Sequence, residues 1–288
     1  MPEPTSSFDQ AVMSDELFQR FARLIYDVAG IQLSDQKKTL VVTRLQKRLR
    51  ELGLDSYEEY FQHIKDDDNE FVLMLNNITT NTTKFFRENH HFEFLKNTLL
   101  PQLFQHKRAN REIRIWSAGC STGEEPYTIA ISLFEKLKTL TGGYDLTDPC
   151  RGWDIKILAT DISTKVLATA QAGSYAAAAL QEDLPEALLK TYFDRSASGS
   201  YIIKDFVKQL IRFRRLNFKD QSYPFKKSFD LIFCRNVMIY FDETMKQHVL
   251  ARFHHHLAPH GHLFLGHSET MFGNKLFSPV HITVYRKQ

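Results

Sequence analysis

Along the first eighty or so residues, apolar side chains recur at intervals of three and four. Leu17, Phe18, Phe21, Leu24, Ile25 and Val28 form one such stripe. Their spacing predicts an amphipathic helix from Asp15 to Val28, ended by Gly30. Ser34 is placed to cap a second helix reaching Leu52, before Gly53, with Leu40, Val41, Leu45, Leu49 and Leu52 on its apolar side. Two shorter helices fit residues 56–64 and 67–77. No strand-like alternation interrupts them, so this part of the chain is expected to be all-helical. The Pro/Ser-rich lead, Met1 to Ser7, is expected to fray.

The texture then changes. A stretch dense in Thr and Asn, from Asn77 to Thr83, suits turns and caps better than a helix interior. A helix carrying Phe92, Leu95, Leu99 and Leu103 follows, with Asn110 at its end. From Arg111 onward, strands fit 113–116, 155–159, 229–234 and 262–265, with helices at 125–137, 163–172 and 243–256. Such alternation predicts an α/β fold whose parallel sheet has helices on both faces. A loop is expected over 141–153. A hairpin is expected over 198–216, with 201–203 and 210–213 as its strands, and a last strand over 281–285.

Composition narrows the class without deciding it. The 288 residues are 43% hydrophobic and 25% charged, ordinary values for a globular protein and enough for a large and a small domain. A net charge of +3 is too mild to mark a nucleic-acid binder. Three cysteines, far apart and without a CxxC pair, signal neither a zinc knuckle nor a disulfide framework and fit a reducing compartment. No basic-then-apolar leader and no membrane-length apolar run is read, so a cytoplasmic location is expected. His254, His255 and His256 are consecutive on a predicted helix and point about 100° apart, so they cannot share one ion, and no metal is expected.

The chemistry gathers at Trp116–Tyr127. A short strand runs through Gly119 and Gly123 into a helix, the arrangement by which α/β proteins bring backbone and helix N–H groups to a nucleotide-type ligand. Standing alone, this is a weak signal. The second strand ends in Asp161, where an acid can bond ribose hydroxyls or cap the following helix. Gly119 to Asp161 is about twice the minimal dinucleotide spacing of roughly twenty residues, and the 141–153 loop accounts for the excess. Glu124 and Glu125 open the helix. They favour its dipole but would repel a pyrophosphate, which argues against NAD, FAD and ATP and for a cationic cofactor without phosphate.

Four blocks in one order then carry a resemblance that covers the chain from about Leu17 to its end. They are Thr79-Thr80-Asn81-Thr82-Thr83-Lys84-Phe85-Phe86-Arg87-Glu88, the Ser117–Tyr127 turn, Phe229-Asp230-Leu231-Ile232-Phe233-Cys234-Arg235-Asn236-Val237-Met238-Ile239-Tyr240-Phe241, and Gly266-His267-Ser268-Glu269. The sequence resembles the CheR family of chemotaxis-receptor glutamate O-methyltransferases. The resemblance implies a Rossmann-like class I S-adenosylmethionine-dependent methyltransferase sheet, a small N-terminal all-helical domain (1–88) and a catalytic domain (89–288). A small inserted antiparallel β-subdomain is expected at about 196–216. It places cofactor contacts on Asn81, Thr83 and Arg87, on Glu125 and Asp161, and on Asn217, Phe218, Arg235 and Asn236, beside the Gly119 of the glycine turn. Several of these also suit purely structural roles: capping for Asn81 and Thr83, a turn for Asn217, an ion pair for Arg235.

A glutamate side chain is ionised at neutral pH, so methylating it needs no general base. What remains is positioning and charge management. Arg87 suits the carboxylate of substrate or cofactor. Tyr240 is the candidate to orient the nucleophile or sit near the sulfonium, and suits the core equally. The implied substrate is the acidic, cytoplasmic helical bundle of methyl-accepting receptors. The second helix, with Lys37, Lys38, Arg44, Lys47, Arg48 and Arg50, is therefore the expected docking patch of a monomeric enzyme. The 196–200 turn is short, so no receptor tether is expected to bind there. Two other readings remain: a nucleic-acid methyltransferase, disfavoured because Arg235-Asn236-Val237-Met238 stands where an Asn/Asp-Pro-Pro-aromatic motif would be, and a cofactor sensor without turnover.

Overall fold

The computed structural model describes residues 12–79, 81–143, 149–271 and 274–288. The expected frayed lead, Thr80 and the middle of the 141–153 loop lie outside the described residues. The chain divides into two compact units. One holds the described residues up to 79 with Tyr240–Lys246, the other Asn81–Ile239 with Gln247–Gln288. The break therefore falls before Asn81 rather than after Glu88, and the Thr/Asn–Phe-Phe-Arg segment counts with the sheet.

The first unit is helical: Asp15–Ala29, Lys38–Leu52, Tyr57–Asp66 and Asp68–Ile78. Ser14, Ser56 and Asp67 accept first-turn N–H groups, while Gly30 and Gly53 end their helices in the left-handed region. Ser34 makes no side-chain cap, and a 3₁₀ turn over Asp35–Lys37 leads into the second helix instead. Phe18, Phe21, Ile25, Val41, Leu45, Tyr60 and Met74 are buried.

Two of the basic residues on the second helix serve this unit itself. Arg44 Nη1 donates to the carbonyls of Ile78 (2.7 Å) and Thr79 (2.9 Å), closing the end of the fourth helix. Arg48 grips Glu70 with two parallel bonds, Nε to Oε1 (2.8 Å) and Nη2 to Oε2 (2.6 Å), and Tyr60 Oη adds a third at 2.9 Å. Glu70 is only 3% exposed, so its charge is tolerable only because Arg48 meets it in this bidentate way. Lys37, Lys47 and Arg50 are exposed.

The second unit opens with a helix from His90 to His106 that widens to π spacing over Leu95–Leu99. Pro101 has no N–H to return to the Asn97 carbonyl, which accounts for the irregularity just before it. The strands are β1 (Glu112–Ala118), β2 (Asp154–Asp161), β3 (Ser174–Tyr175), β4 (Phe193–Arg195), β5 (Tyr201–Ile203), β6 (Ile211–Arg215), β7 (Phe229–Cys234), β8 (Leu257–Leu265), β9 (Phe277–His281) and β10 (Val284–Lys287). Seven of them form one sheet in the order β6-β2-β1-β7-β8-β10-β9, with β10 antiparallel to both neighbours and the β6-to-β8 pairs parallel. Helices Glu124–Thr141, Thr164–Ala172 and Glu243–His256 connect strands of this sheet. Every residue of β7 is buried, as befits a central strand covered on both faces.

The expected hairpin over 198–216 does not form. Ile211–Arg215 joins the edge of the main sheet, with Ile157 opposite Ile211 and Asp161 opposite Arg215, while Tyr201–Ile203 pairs with β3 and β4 in a separate three-stranded antiparallel sheet. A helical turn, Asp205–Lys208, separates the two strands. The inserted subdomain is therefore built from 174–203. The expected last strand also splits, because Thr283 at φ 50° turns the chain between β9 and β10.

Glu70→Ala strands Arg48 and the buried Tyr60 hydroxyl. It is expected to cost the helical unit about 3 kcal/mol, seen as an earlier first phase in urea unfolding, with Glu70→Gln losing less.

Candidate functional site

The carboxyl ends of β1, β2 and β7, central parallel strands, meet where an open α/β sheet offers a ligand its crevice. β1 is held to β2 there by the Trp116 indole, which donates to Thr160 Oγ1 at 2.9 Å. The chain then turns sharply: Gly119 and Cys120 both donate to the Thr160 carbonyl, at 2.8 and 2.9 Å. Gly119 sits at φ 88°, and a Cβ there would lie 2.4 Å from Val237 Cγ2, so no other residue fits without displacing the loop after β7.

Asp161 braces this turn. Its Oδ2 accepts the Ser121 N–H (2.9 Å) and its Oδ1 the Ser163 N–H (3.0 Å), while Ser121 Oγ reaches the Asn81 carbonyl (3.0 Å). Burial raises the Asp161 carboxyl above its ordinary range, against the pull of those N–H groups. The Ile162 N–H bears on the carboxylate as well, and three N–H groups against about four acceptor sites still leave room for a hydroxyl.

The two acids that open helix Glu124–Thr141 diverge. Glu124 folds back on Thr122 Oγ1 (2.7 and 2.9 Å). Glu125 accepts the Ser117 hydroxyl (2.7 Å) and meets Arg235 Nη1 at 3.2 Å. Burial raises both carboxyls, offset for Glu125 chiefly by Arg235.

Arg235, at the end of β7, has a side chain only 2% exposed. Its guanidinium lies between Glu125 and Glu88 (Nη2 to Oε2, 3.3 Å), donates to the Arg87 carbonyl and rests 5.2 Å from the centre of the Phe92 ring. The surface ion pair open to it in sequence is thus a buried one with two carboxylates. Burial pushes the Glu88 carboxyl up, but Arg235, the His267 N–H and the Asn236 amide together hold it below the usual range.

Asn236 follows at φ 59°. Its N–H goes to Glu269 Oε2 (2.8 Å) and its Nδ2 to Glu88 Oε1 (3.2 Å). Glu269 also accepts from Gly266 N (2.6 Å) and Ile239 N (3.3 Å), tying the loop after β7 to the loop after β8. Three buried atoms in this group have no hydrogen-bond partner among the described residues: Asn236 Oδ1, an acceptor, Arg235 Nε, a donor, and Glu88 Oε2, which meets Arg235 as an ion pair.

The remaining expected residues are spread more widely. Asn81 and Thr83 are half-buried on the segment that Ser121 holds. Arg87 Nη1 donates to the Thr82 carbonyl (2.8 Å), and its guanidinium makes no ion pair among the described residues. Asn217 turns the chain after β6, its Oδ1 accepting the Lys219 N–H (3.0 Å), whereas the Phe218 ring packs near Trp116 and Phe253 in the core. Tyr240 counts with the helical unit, where its carbonyl accepts the Gln32 N–H (2.8 Å). The braces Glu88 and Glu269 were not singled out from sequence, although both lie in the blocks that carried the resemblance.

Taken in chain order, the sheet strands run 3-2-1-4-5-7-6 with the seventh reversed; with a glycine turn after the first and an acid ending the second, this is the architecture of class I S-adenosylmethionine-dependent methyltransferases. A model of the CheR methyltransferase SAM binding domain matches residues 81–286, and one of the CheR methyltransferase all-alpha domain matches residues 16–79. The chain belongs to the CheR methyltransferase family. It is 39% identical to the chemotaxis protein methyltransferase of Borreliella burgdorferi, covering 96% of this chain and 95% of that one. It is 42% identical to a probable chemotaxis protein methyltransferase of Rhizobium etli (91% and 96%) and 40% identical to chemotaxis protein methyltransferase 2 of Pseudomonas aeruginosa (99% and 97%).

His91 offers a test of this packing. It is fully buried beside Glu88, its Nε2 on Thr283 Oγ1 (2.9 Å), and burial, with Arg235 and His90 adding, lowers its pKa to about 3. As pH falls below the ordinary histidine value near 6.5, the unfolded chain takes up a proton that the folded one refuses. The neutral ring's contribution is therefore complete above that value and lost progressively toward pH 3. His91→Gln is expected to remove up to one proton's worth of slope between pH 6 and 4.5, about 1.4 kcal/mol per pH unit, in unfolding midpoints measured against pH.

Proposed function

We propose that the protein transfers a methyl group from S-adenosylmethionine to side-chain carboxylates of particular glutamates on chemoreceptors, yielding γ-methyl esters and S-adenosylhomocysteine, and acts as a cytoplasmic monomer. The family and its chemotaxis relatives support the class of reaction. One observation carries the donor: Asn236 Oδ1 and Arg235 Nε–H, a buried acceptor and a buried donor without partners among the described residues. An α-amino-acid group brings the complement of both, an ammonium and a carboxylate, so the residues present fit this cofactor.

When bound, S-adenosylmethionine supplies a methyl group activated by its sulfonium. The chain's own residues do the rest. Asp161 would take the ribose hydroxyls. Glu125, Arg235 and Asn236 would hold the amino-acid end, and Asn81, Thr83, Gly119, Asn217 and the Phe218 backbone would complete the cradle. Two acids in the first turn of helix Glu124–Thr141 add negative charge where a phosphate would lie and favour a cation instead. Arg87 carries a guanidinium held by one carbonyl and paired with no carboxylate among the described residues, and is proposed to orient the substrate or donor carboxylate. A hold that is too tight would stabilise the ground state and raise the barrier. The role of Tyr240 rests on the resemblance alone. For docking on acidic receptor helices, Lys37, Lys47 and Arg50 are the candidates because they are exposed, whereas Arg44 and Arg48 are half-buried against groups of their own unit.

Incubation with methyl-labelled S-adenosylmethionine and receptor cytoplasmic fragments is expected to leave base-labile label on receptor glutamates. Binding without transfer would instead make the protein a sensor. Arg87→Ala should lower kcat/KM roughly a hundredfold. Reversing Lys37, Lys47 and Arg50 together should raise KM for receptor several-fold while leaving cofactor affinity unchanged. That effect should shrink as salt is added; receptor kinetics indifferent to the reversal would rule this patch out.

A further inference from the structure

We infer that Glu88 is a positioning residue for the methyl donor, acting through the Asn236 side chain; the inference rests on the proposal that this pocket holds S-adenosylmethionine. An amide can present either its oxygen or its nitrogen to a ligand, and the difference reverses what it binds. Here the orientation is dictated. Glu88 Oε1, an ionised carboxylate oxygen that can only accept, lies 3.2 Å from Asn236 Nδ2. Turning the amide over would set two acceptor oxygens against each other at that distance. With Nδ2 committed to Glu88 and the backbone N–H committed to Glu269 at 2.8 Å, Oδ1 is left as a buried acceptor without a partner among the described residues.

Glu88 is itself held from three sides. Its Oε2 pairs with Arg235 Nη2 at 3.3 Å, and its Oε1 also takes the His267 N–H at 3.2 Å. Its backbone sits at φ 55°, in the left-handed region. Beyond it, Gly266 leaves no slack, since a Cβ there would lie 2.6 Å from Asn236 Nδ2 and 2.8 Å from Glu269 Oε2. Glu88, Asn236 and Glu269 therefore form a packed clamp, set among carboxylates, in which Glu88 Oε2 has its ion pair with Arg235 and Asn236 Oδ1 is left without a hydrogen bond among the described residues. That field favours a cationic N–H donor, and the ammonium of the methyl donor's amino-acid end is of that kind.

The test reverses the polarity of the pair. Affinity for S-adenosylhomocysteine is measured by calorimetry on the full chain, with melting temperature followed for each variant. Asn236→Asp, which faces one carboxylate with another, is expected to weaken binding at least a hundredfold. Glu88→Gln combined with Asn236→Asp restores a donor–acceptor pair in the opposite sense, at the expense of the His267 N–H bond, and is expected to recover at least tenfold. Glu88→Ala with Asn236→Asp relieves the repulsion without offering a donor, and should recover less. Equal recovery in the two double variants, or none in the swap while it melts like the wild type, overturns the inference and leaves the cofactor reading standing. A swap that melts well below the wild type overturns it too, since the reversed pair should hold the clamp. Failure of the wild-type protein to bind S-adenosylhomocysteine or S-adenosylmethionine refutes the cofactor reading itself, and this inference with it.

Discussion

A guanidinium taken out of water must be met by acceptors and counter-charge, or it destabilises the fold that buries it. Arg235 is in that position, and the site is arranged about the solution. Its partners come from three parts of the chain: Glu88 and the Arg87 carbonyl from the segment before the sheet, Glu125 from the first helix turn after β1, and Phe92 from the helix that follows. Two carboxylates thus share one buried cation, and burial pushes the Glu125 carboxyl above its ordinary range while Arg235 pulls against it.

The same interaction explains why a segment with little regular structure can belong to the sheet unit. Asn81–Glu88 forms neither helix nor strand, yet it is pinned through backbone and side chain alike: the Asn81 carbonyl to Ser121, the Phe86 N–H to Thr128, and Glu88 to Arg235 and Asn236. Positive φ at Phe86 and Glu88 is tolerated because these contacts over-determine the conformation. Backbone strain and buried charge thus concentrate beside the ligand crevice, the part of a fold where a ligand can repay them.

Charge on the helical unit divides differently. Six basic residues near one helix look alike in sequence, yet Arg44 closes the end of a neighbouring helix and Arg48 neutralises the buried Glu70. Arg48 uses the planar fork of arginine, which lysine lacks. Lys38 pairs with Asp15, and the exposed remainder is Lys37, Lys47 and Arg50, a smaller patch than composition suggests.

Much of this was legible in the chain because it depends on local order. Helical periodicity, Gly30 and Gly53 as stops, Gly119 as the turn and Asp161 as the end of β2 follow from steric and hydrogen-bonding rules that act over a few residues. What could not be read was which distant partners each group would find. Ile211–Arg215 looked like half of a hairpin, because alternation specifies a strand but not its neighbour, and parallel pairing with β2 links residues more than fifty apart. Glu88 and Glu269 look like any surface acid in sequence; they become braces only when the folded chain carries them to Arg235 and Asn236. The sequence by itself determined the helices of the first unit, the central strands, the glycine turn and the class of cofactor. Only the tertiary structure decided which charges are buried together, because burial and pairing are properties of the assembled core and not of any stretch of chain.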